Sequence, residues 1–354
     1  MKIDDLLKQP SEWLKGAGPD AGIVISSRMR LARNIKGFTF SDWADDKTRE
    51  AVKDLCKRQI ASSNFMKNAL YAEMDKISPV DNLLLLERHL ISREHLNNPS
   101  GKAVFVSEKE IISVMINEED HLRIQVLQSG LNLISAWDIL KALEKDLEAK
   151  LDFAYSEQLG YLTACPTNVG TGMRASVMFH LPAVVMTRQI KDILEAISKL
   201  GLTVRGFFGE GTEAIGNFFQ VSNQVTLGHR EADIISNLER VVKQLIAQEE
   251  NSRKFLIAKK REQLEDRIFR AYATLKNAHV INSEETLELL SLLRLGVETD
   301  IIKDVKISSL NEIFIIIQPA HLQKMRNKKF SSQERDIERA KLIRNVLGGN
   351  TKNV

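Results

Sequence analysis

Five arginines stand among glycines, serines and carboxylates. They are Arg28 and Arg30 in Ser26-Ser-Arg-Met-Arg30, Arg123 in Asn117-Glu-Glu-Asp-His-Leu-Arg123, Arg174 in Gly170-Thr-Gly-Met-Arg174, and Arg205 in Arg205-Gly-Phe-Phe-Gly-Glu210. A guanidinium offers a rigid fork of donors that matches phosphate oxygens and stays charged at working pH. Next to one of them run three consecutive acids, Glu118, Glu119 and Asp120. Like charges that close cost free energy unless a cationic substrate or a metal ion meets them, although a solvated acidic turn is the plainer reading of a bare triplet. The run Cys165-Pro-Thr-Asn-Val-Gly-Thr-Gly-Met-Arg174 adds a cysteine and two glycines that would let a ligand approach the backbone closely. It is not a P-loop, since no Gly-Lys-Ser/Thr follows. The stretch from Arg205 to Gly216 has the composition of a loop that closes over substrate, or of an ordinary pair of turns. The combination predicts phosphoryl transfer.

The elements that must position these residues can be read from periodicity. A helical lead-in is expected up to Gly16-Ala-Gly-Pro19, a strand at Ile23-Val-Ile-Ser26, and a charged helix within 44–68. Asn82-Leu-Leu-Leu-Leu-Glu87 fits either a strand or a helix. Lys102–Ser107 and Ile111–Ile116 read as paired strands joined by Glu108-Lys-Glu110, and 128–150 as a long helix. Short strands are expected near 160–164, 175–180, 203–207 and 217–227, with helical spacing from Pro182 to Leu200. From 231 to 277 the pattern is nearly unbroken helix, and 284–347 continues as helices with short breaks. This predicts an α+β fold: a lead-in over 1–20, a catalytic domain over 21–240 and an all-α domain over 241–354.

Composition sets bounds. The 354 residues are 43% hydrophobic, enough for a sizeable core. Lys and Arg number 50 against 47 Asp and Glu, a net charge of +3 that does not call for nucleic acid. Two cysteines, Cys56 and Cys165, imply no disulfide framework, and no apolar run approaches the ~18 residues of a membrane span. The expectation is a soluble, cytoplasmic protein without a membrane partner.

Four strings carry a resemblance. Asn117-Glu-Glu-Asp-His-Leu-Arg123, Cys165-Pro-Thr-Asn-x-Gly-Thr-Gly-x-Arg174, Arg205-Gly-x-x-Gly-Glu210 and Ser222-Asn-x-x-x-Leu-Gly228 resemble, in the same order, those of the phosphagen (guanidino) kinases. The chain begins almost at the catalytic core and adds a helical C-terminal half, an arrangement similar to the bacterial protein arginine kinases. The resemblance implies an antiparallel sheet flanked by helices, ATP as donor, and Mg²⁺ held mainly through the nucleotide with no dedicated metal site. Arg28, Arg30, Arg123, Arg174 and Arg205 would grip the phosphates. Ser27, Met29, Ala175, Ser176, Val177, Met178, Gly206, Phe207, Phe208, Gly209 and Glu210 would line the same cradle with their backbone, and His89 would lie near the nucleotide. Glu119 and Glu210 would be the two carboxylates on the acceptor guanidinium, with Cys165 beside it. A guanidinium of pKa ~13.8 is a poor nucleophile while protonated, so carboxylates that orient it and accept its proton suit in-line transfer.

The C-terminal half holds Ser331-Ser-Gln-Glu334, with capping-box spacing, followed by Arg335 and Arg339 one turn apart. An arginine in a first turn opposes the helix dipole and hints at an anion, although a solvated charged helix explains the pattern as well. Arg335-Asp336 and Arg339-Ala340 also resemble a phosphoarginine-binding motif of the protein arginine kinases, implying an allosteric sensor. The family further implies protein substrates marked for a Clp-type protease, an activating zinc-finger protein, a heat-shock repressor as client, a role in stress response and quality control, and a homodimer. A small-molecule guanidino kinase and a non-catalytic phosphoarginine adaptor remain open alternatives.

Overall fold

The computed structural model describes residues 1–8, 10–206 and 215–348. Phe207, Phe208, Gly209 and Glu210 therefore lie outside the described residues. Strands β1 (Val24–Arg33), β2 (Leu70–Glu73), β3 (Ala103–Val106), β4 (Ile112–Ile116), β5 (Leu122–Ser129), β8 (Met173–His180), β9 (Leu202–Gly206) and β10 (Phe218–Asn223) form one sheet, and β6 (Tyr155–Ser156) and β7 (Gly160–Tyr161) a small ribbon. The sheet order is β2-β3-β4-β5-β1-β8-β10-β9, antiparallel throughout.

Side chains alternate across a strand, so each strand divides its residues between two faces. On one face Met29, Leu31, Ile124, Val126, Ala175, Val177 and Val221 meet the apolar sides of α1 (Asp46–Ala61), α4 (Leu133–Glu148), α6 (Ile190–Lys199) and the first half of α7 (Glu231–Lys259). The other face carries the arginines. It is walled on one side by α2 (Pro79–Glu87) and Leu6 packed on Leu70, Val104 and Met115. At one end Trp13, Leu127, Met178 and Phe218 meet the C-terminal helices: α8 (Arg261–Asn277), α9 (Ser283–Glu298), α10 (Ile307–Ile316), α11 (Pro319–Arg326) and α12 (Ser332–Leu347). The α+β architecture with a helical C-terminal half is the one expected from the sequence.

Local chemistry settles individual elements. The ambiguous 82–87 run is helix α2, because Ser78 caps it (Oγ accepts the Asp81 N–H, 3.1 Å) and Pro79 opens its first turn. The helix expected from residue 128 begins at Leu133, since the preceding residues form β5, buried on both faces and so lacking a clean alternation. The long helix from 231 breaks at Lys260 without a proline. The helical lead-in is two 3₁₀ turns, Ile3–Leu7 and Glu12–Leu14. The capping box on α12 forms as expected, with Ser331 N–H donating to Glu334 at 2.8 Å and the Glu334 N–H to Ser331 Oγ at 3.3 Å.

Buried polar residues tie the layers. Glu249 of α7, fully buried, accepts the N–H groups of Ala183 (3.2 Å) and Val184 (3.0 Å) and the Nε–H of Arg253 (2.8 Å), while Arg253 donates to the Gly22 carbonyl (3.2 Å) ahead of β1. Replacing Glu249 with alanine strands a buried guanidinium and two amides, so a loss of roughly 3–5 kcal/mol is expected in urea unfolding, with Glu249→Gln losing less.

Candidate active site

The strand register puts all five arginines on one face. Arg30 stands opposite both Gln125 and Arg174, Ala32 opposite Arg123, Arg28 opposite Ser176, and Arg205 opposite Gln220, which itself faces Met178. Residues directly opposite in an antiparallel pair share a face. Neighbouring polar side chains aim the guanidinium groups. Arg28 donates to Gln220 Oε1 (2.7 Å), and Arg174 to Ser222 Oγ through both Nε (3.3 Å) and Nη2 (3.2 Å). Arg30 is 8% exposed, and its Nε and Nη2 are buried with no hydrogen-bond acceptor among the described residues.

Such crowding is unfavourable without an anion. Burial, reinforced by Arg123, Arg174 and Arg205, brings Arg28 down to about 9. Burial and then Arg28, Arg123 and Arg174 bring Arg30 well below the ordinary arginine range. Unpaired buried donors and stacked like charges both call for a bound polyanion. At the base of the face, Trp13, Arg28, His89, Leu127, Ser176, Met178 and Gln220 close around a cavity of about 10 Å³, and the His89 ring meets Trp13 edge-on at 5.3 Å.

The acidic turn between β4 and β5 gives each residue a separate task. Asn117, at φ +58°, donates through Nδ2 to the Arg49 and Gly101 carbonyls (both 2.8 Å). Asparagine tolerates that left-handed backbone better than most residues. Glu118 is buried and is met by Arg123 and the Ser92 hydroxyl; together they outweigh its burial and hold its carboxyl below the usual range. Asp120 accepts from Asn34 Nδ2 (2.6 Å) and from the Ala164 N–H (2.7 Å), so it anchors the segment that leads to Cys165. His121 accepts the Ile35 N–H at Nδ1 (3.0 Å), which leaves Nε2 to donate to the Thr39 carbonyl (2.9 Å).

Glu119 is the remaining acid. It is half-buried, and its carboxylate has no hydrogen bond or ion pair among the described residues. Burial first, then Glu118, raises its pKa above the ordinary value despite Arg123. It lines a pocket of about 250 Å³ with Cys165, Ala164, Asp42 and Trp43. Cys165 is half-buried, with Sγ 3.0 Å from Thr167 Oγ1. The structure thus sets a carboxylate pocket beside an arginine basin, joined through the Glu118–Arg123 pair. One compartment suits a cation and the other a polyphosphate, and the residues present fit ATP on the arginine side.

A family model for ATP:guanido phosphotransferase, C-terminal catalytic domain, matches residues 51–252, and one for protein-arginine kinase McsB C-terminal domain matches residues 261–353. The protein-arginine kinase of Halothermothrix orenii is 49% identical over 350 residues, 98% of this chain and 99% of that one. That of Pelotomaculum thermopropionicum is 46% identical, covering 94% and 95%. The chain belongs to the protein-arginine kinase family. Among solved structures, the duplicated taurocyamine kinase from Schistosoma mansoni with bound transition state analog components is similar at 28% identity and a TM-score of 0.58, over 70% of this chain and 38% of that one. Lombricine kinase is similar at 26% identity and 0.57, over 70% and 75%.

Within this kinase fold strand alternation divides the expected site residues between the two faces of the sheet. Ser27, Met29, Ala175 and Val177 alternate onto the core face, and β1 and β8 are interior strands. Their backbone groups take part in the sheet ladders, while Arg28, Arg30, Arg174 and Ser176 present their side chains on the opposite face. Gly206 is buried at the end of β9. The glycines of Gly170-Thr-Gly172 admit close approach of the chain itself. A Cβ at Gly170 would meet the Thr226 carbonyl at 2.9 Å, and one at Gly172 the Ala32 carbonyl at 2.7 Å. Sequence reasoning missed Gln220, Asp42 and Trp43. Gln220 had a signal, its spacing of two from Ser222 on one strand.

Because Arg30 is held charged at a cost, Arg30→Met should raise the melting temperature of the nucleotide-free protein and shrink the upward shift on adding Mg-ATP, both read by scanning fluorimetry.

Proposed function

We propose that this kinase transfers the γ-phosphate of ATP to arginine side chains of proteins. The observation that carries this reading is Glu119: a carboxylate with no partner among the described residues and a raised pKa, lining an open pocket, on the same turn as the Glu118–Arg123 pair of the arginine basin. The basin would hold the triphosphate through Arg28, Arg30, Arg123, Arg174 and Arg205, with His89 near the base and Mg²⁺ carried on the phosphates. Mg²⁺ would offset charge on the transferring group. Glu119 would align the acceptor guanidinium and take its proton as the N–P bond forms and the bond to the β-phosphate oxygen breaks. Glu210, outside the described residues, would be the second carboxylate. Cys165, which lines the same pocket as Glu119, would act on the guanidinium by hydrogen bonding rather than as a covalent nucleophile. Alignment of the two reactants would supply ~7–11 kcal/mol of the barrier lowering.

Protein substrates follow from the relatives' shared name, and the same family likeness supports marking of clients for a Clp-type protease, inactivation of a heat-shock repressor, an activating zinc-finger partner, a homodimer and a cytoplasmic location. Among the described residues no helix is long and apolar enough to cross a membrane.

The phosphoarginine sensor would centre on Arg335. Arg339 is 2% exposed and already donates to the Ile317 (3.1 Å) and Ile281 (2.9 Å) carbonyls and to Asp336, and Ala340 is buried beside it. Arg335 is half-buried, with one bond to the Phe330 carbonyl (3.2 Å). Arg335→Ala should weaken binding of a phosphoarginine peptide severalfold in calorimetry without lowering the melting temperature; unchanged affinity would remove the sensor.

Two measurements test the main reading. With labelled Mg-ATP, a basic protein and free arginine, acid-labile phosphate should appear on the protein, and Glu119→Ala should abolish it. Label on free arginine alone would favour a small-molecule guanidino kinase, and no transfer would favour an adaptor. Second, the acid limb of kcat/KM should lie above the ordinary glutamate pKa of ~4.3, with rate rising as Glu119 ionises, and Glu119→Gln should remove what the limb reports. The same raised pKa means that this group's contribution to folding stability falls as pH rises through that range.

A further inference from the structure

Trp43 is 74% exposed, the most exposed large apolar side chain among those described, yet it is firmly placed. It lies in the turn between β1 and α1, where its N–H donates to the Phe40 carbonyl (3.0 Å). Its indole stacks on the Phe40 ring at 6.1 Å and 25°. Phe40 in turn meets the His121 ring at 6.4 Å and 74°, and both His121 nitrogens are bonded to backbone. Downstream, Asp45 caps α1 through the Thr48 N–H (2.8 Å). The turn that carries Glu119 therefore fixes the loop that carries Trp43, through His121 and through Asn117, whose Oδ1 accepts from Ser41 (3.4 Å).

Core packing does not require an indole three-quarters in solvent, and rigid placement argues against an idle surface side chain. Among the described residues, the pocket it borders is lined by Asp42, Trp43, Glu119, Ala164 and Cys165, two carboxylates and no cation. A guanidinium is planar, weakly hydrated and drawn to aromatic faces, so an indole beside a carboxylate suits it better than an ammonium or a neutral side chain. We propose that Trp43 and Asp42 form the acceptor-docking platform of this enzyme, with the indole lying against the target arginine's guanidinium and Asp42 drawing it toward Glu119. This rests on the reading that the acceptor is arginine and adds the residues that select it. Trp43 and Asp42 bind and position the acceptor; Glu119 handles the proton.

Steady-state kinetics on an arginine-containing peptide, varying peptide and ATP separately, tests the platform. Trp43→Ala should raise the peptide KM roughly five- to thirty-fold, with the ATP KM unchanged. Trp43→Phe should recover most of the loss, which a merely structural role for the loop would not predict. Asp42→Asn should raise the peptide KM by a smaller factor and flatten its salt dependence. Melting temperatures within experimental error of the parent would show that these exposed changes leave the fold intact. If the parent phosphorylates the peptide and Trp43→Ala leaves its KM unchanged, or moves both KM values equally, the platform is overturned while the function stands. A parent that phosphorylates no arginine overturns the functional reading and the platform with it.

Discussion

The site depends on a destabilising arrangement. An antiparallel sheet turns every second residue to one face, and here that face collects five guanidinium groups from β5, β1, β8 and β9. Two of them, Arg28 and Arg30, are pushed well down from the ordinary arginine range by burial and then by neighbouring arginines, Arg123 and Arg174 among them. The cost is tolerated because the opposite face is anchored to α1, α4, α6 and α7 through a continuous apolar layer. The scaffold can therefore hold charges in place that would move apart in solution. A polyanion entering this basin meets donors already aimed by Gln220 and Ser222, so little reorganisation is needed on binding.

The acidic turn solves the inverse problem. Three adjacent carboxylates are kept close by giving two of them dedicated partners, Arg123 for Glu118 and the Asn34 and Ala164 groups for Asp120. Of the three, Glu119 alone has no partner among the described residues and lines the pocket with Cys165. Asn117 and His121 at the ends of the turn bind the neighbouring loops, so one pentapeptide orders the arginine basin, the Cys165 segment and the Trp43 loop together.

The helical half is continuous with the site rather than appended to it. Leu127, Met178 and Phe218 at the end of the arginine face share a core with α8 to α12. Buried Arg294 of α9 donates to the Ala21 carbonyl (2.8 Å) just ahead of β1. Arg88, next to His89, is paired with Glu110 and reaches the ring of His321 in α11 (3.3 Å). Contacts of this kind link the C-terminal helices to the strand and turn that carry Arg28, Arg30 and His89.

Much is legible in the sequence where the chemistry is local. Alternation along Ser26-Ser-Arg-Met-Arg30 puts Arg28 and Arg30 on one face and separates them from Arg33, three residues on. Arg33 turns to the other face, donates to Glu144 (2.7 Å) and covers the Tyr161 ring, a structural role for the same residue type. The capping box at Ser331 is legible for the same reason, since its bonds span four residues. The order and type of the acids, arginines and cysteine point to the family and to the two kinds of compartment. Tertiary structure alone decides which acid is without a partner among the described residues, that Gly170 and Gly172 lie close against the Thr226 and Ala32 carbonyls, that Arg339 is committed to carbonyls, and that Trp43 borders the pocket of Glu119. Each of these depends on which distant strand or loop arrives at a given side chain. That depends on the register of eight strands at once and not on spacing along any one of them.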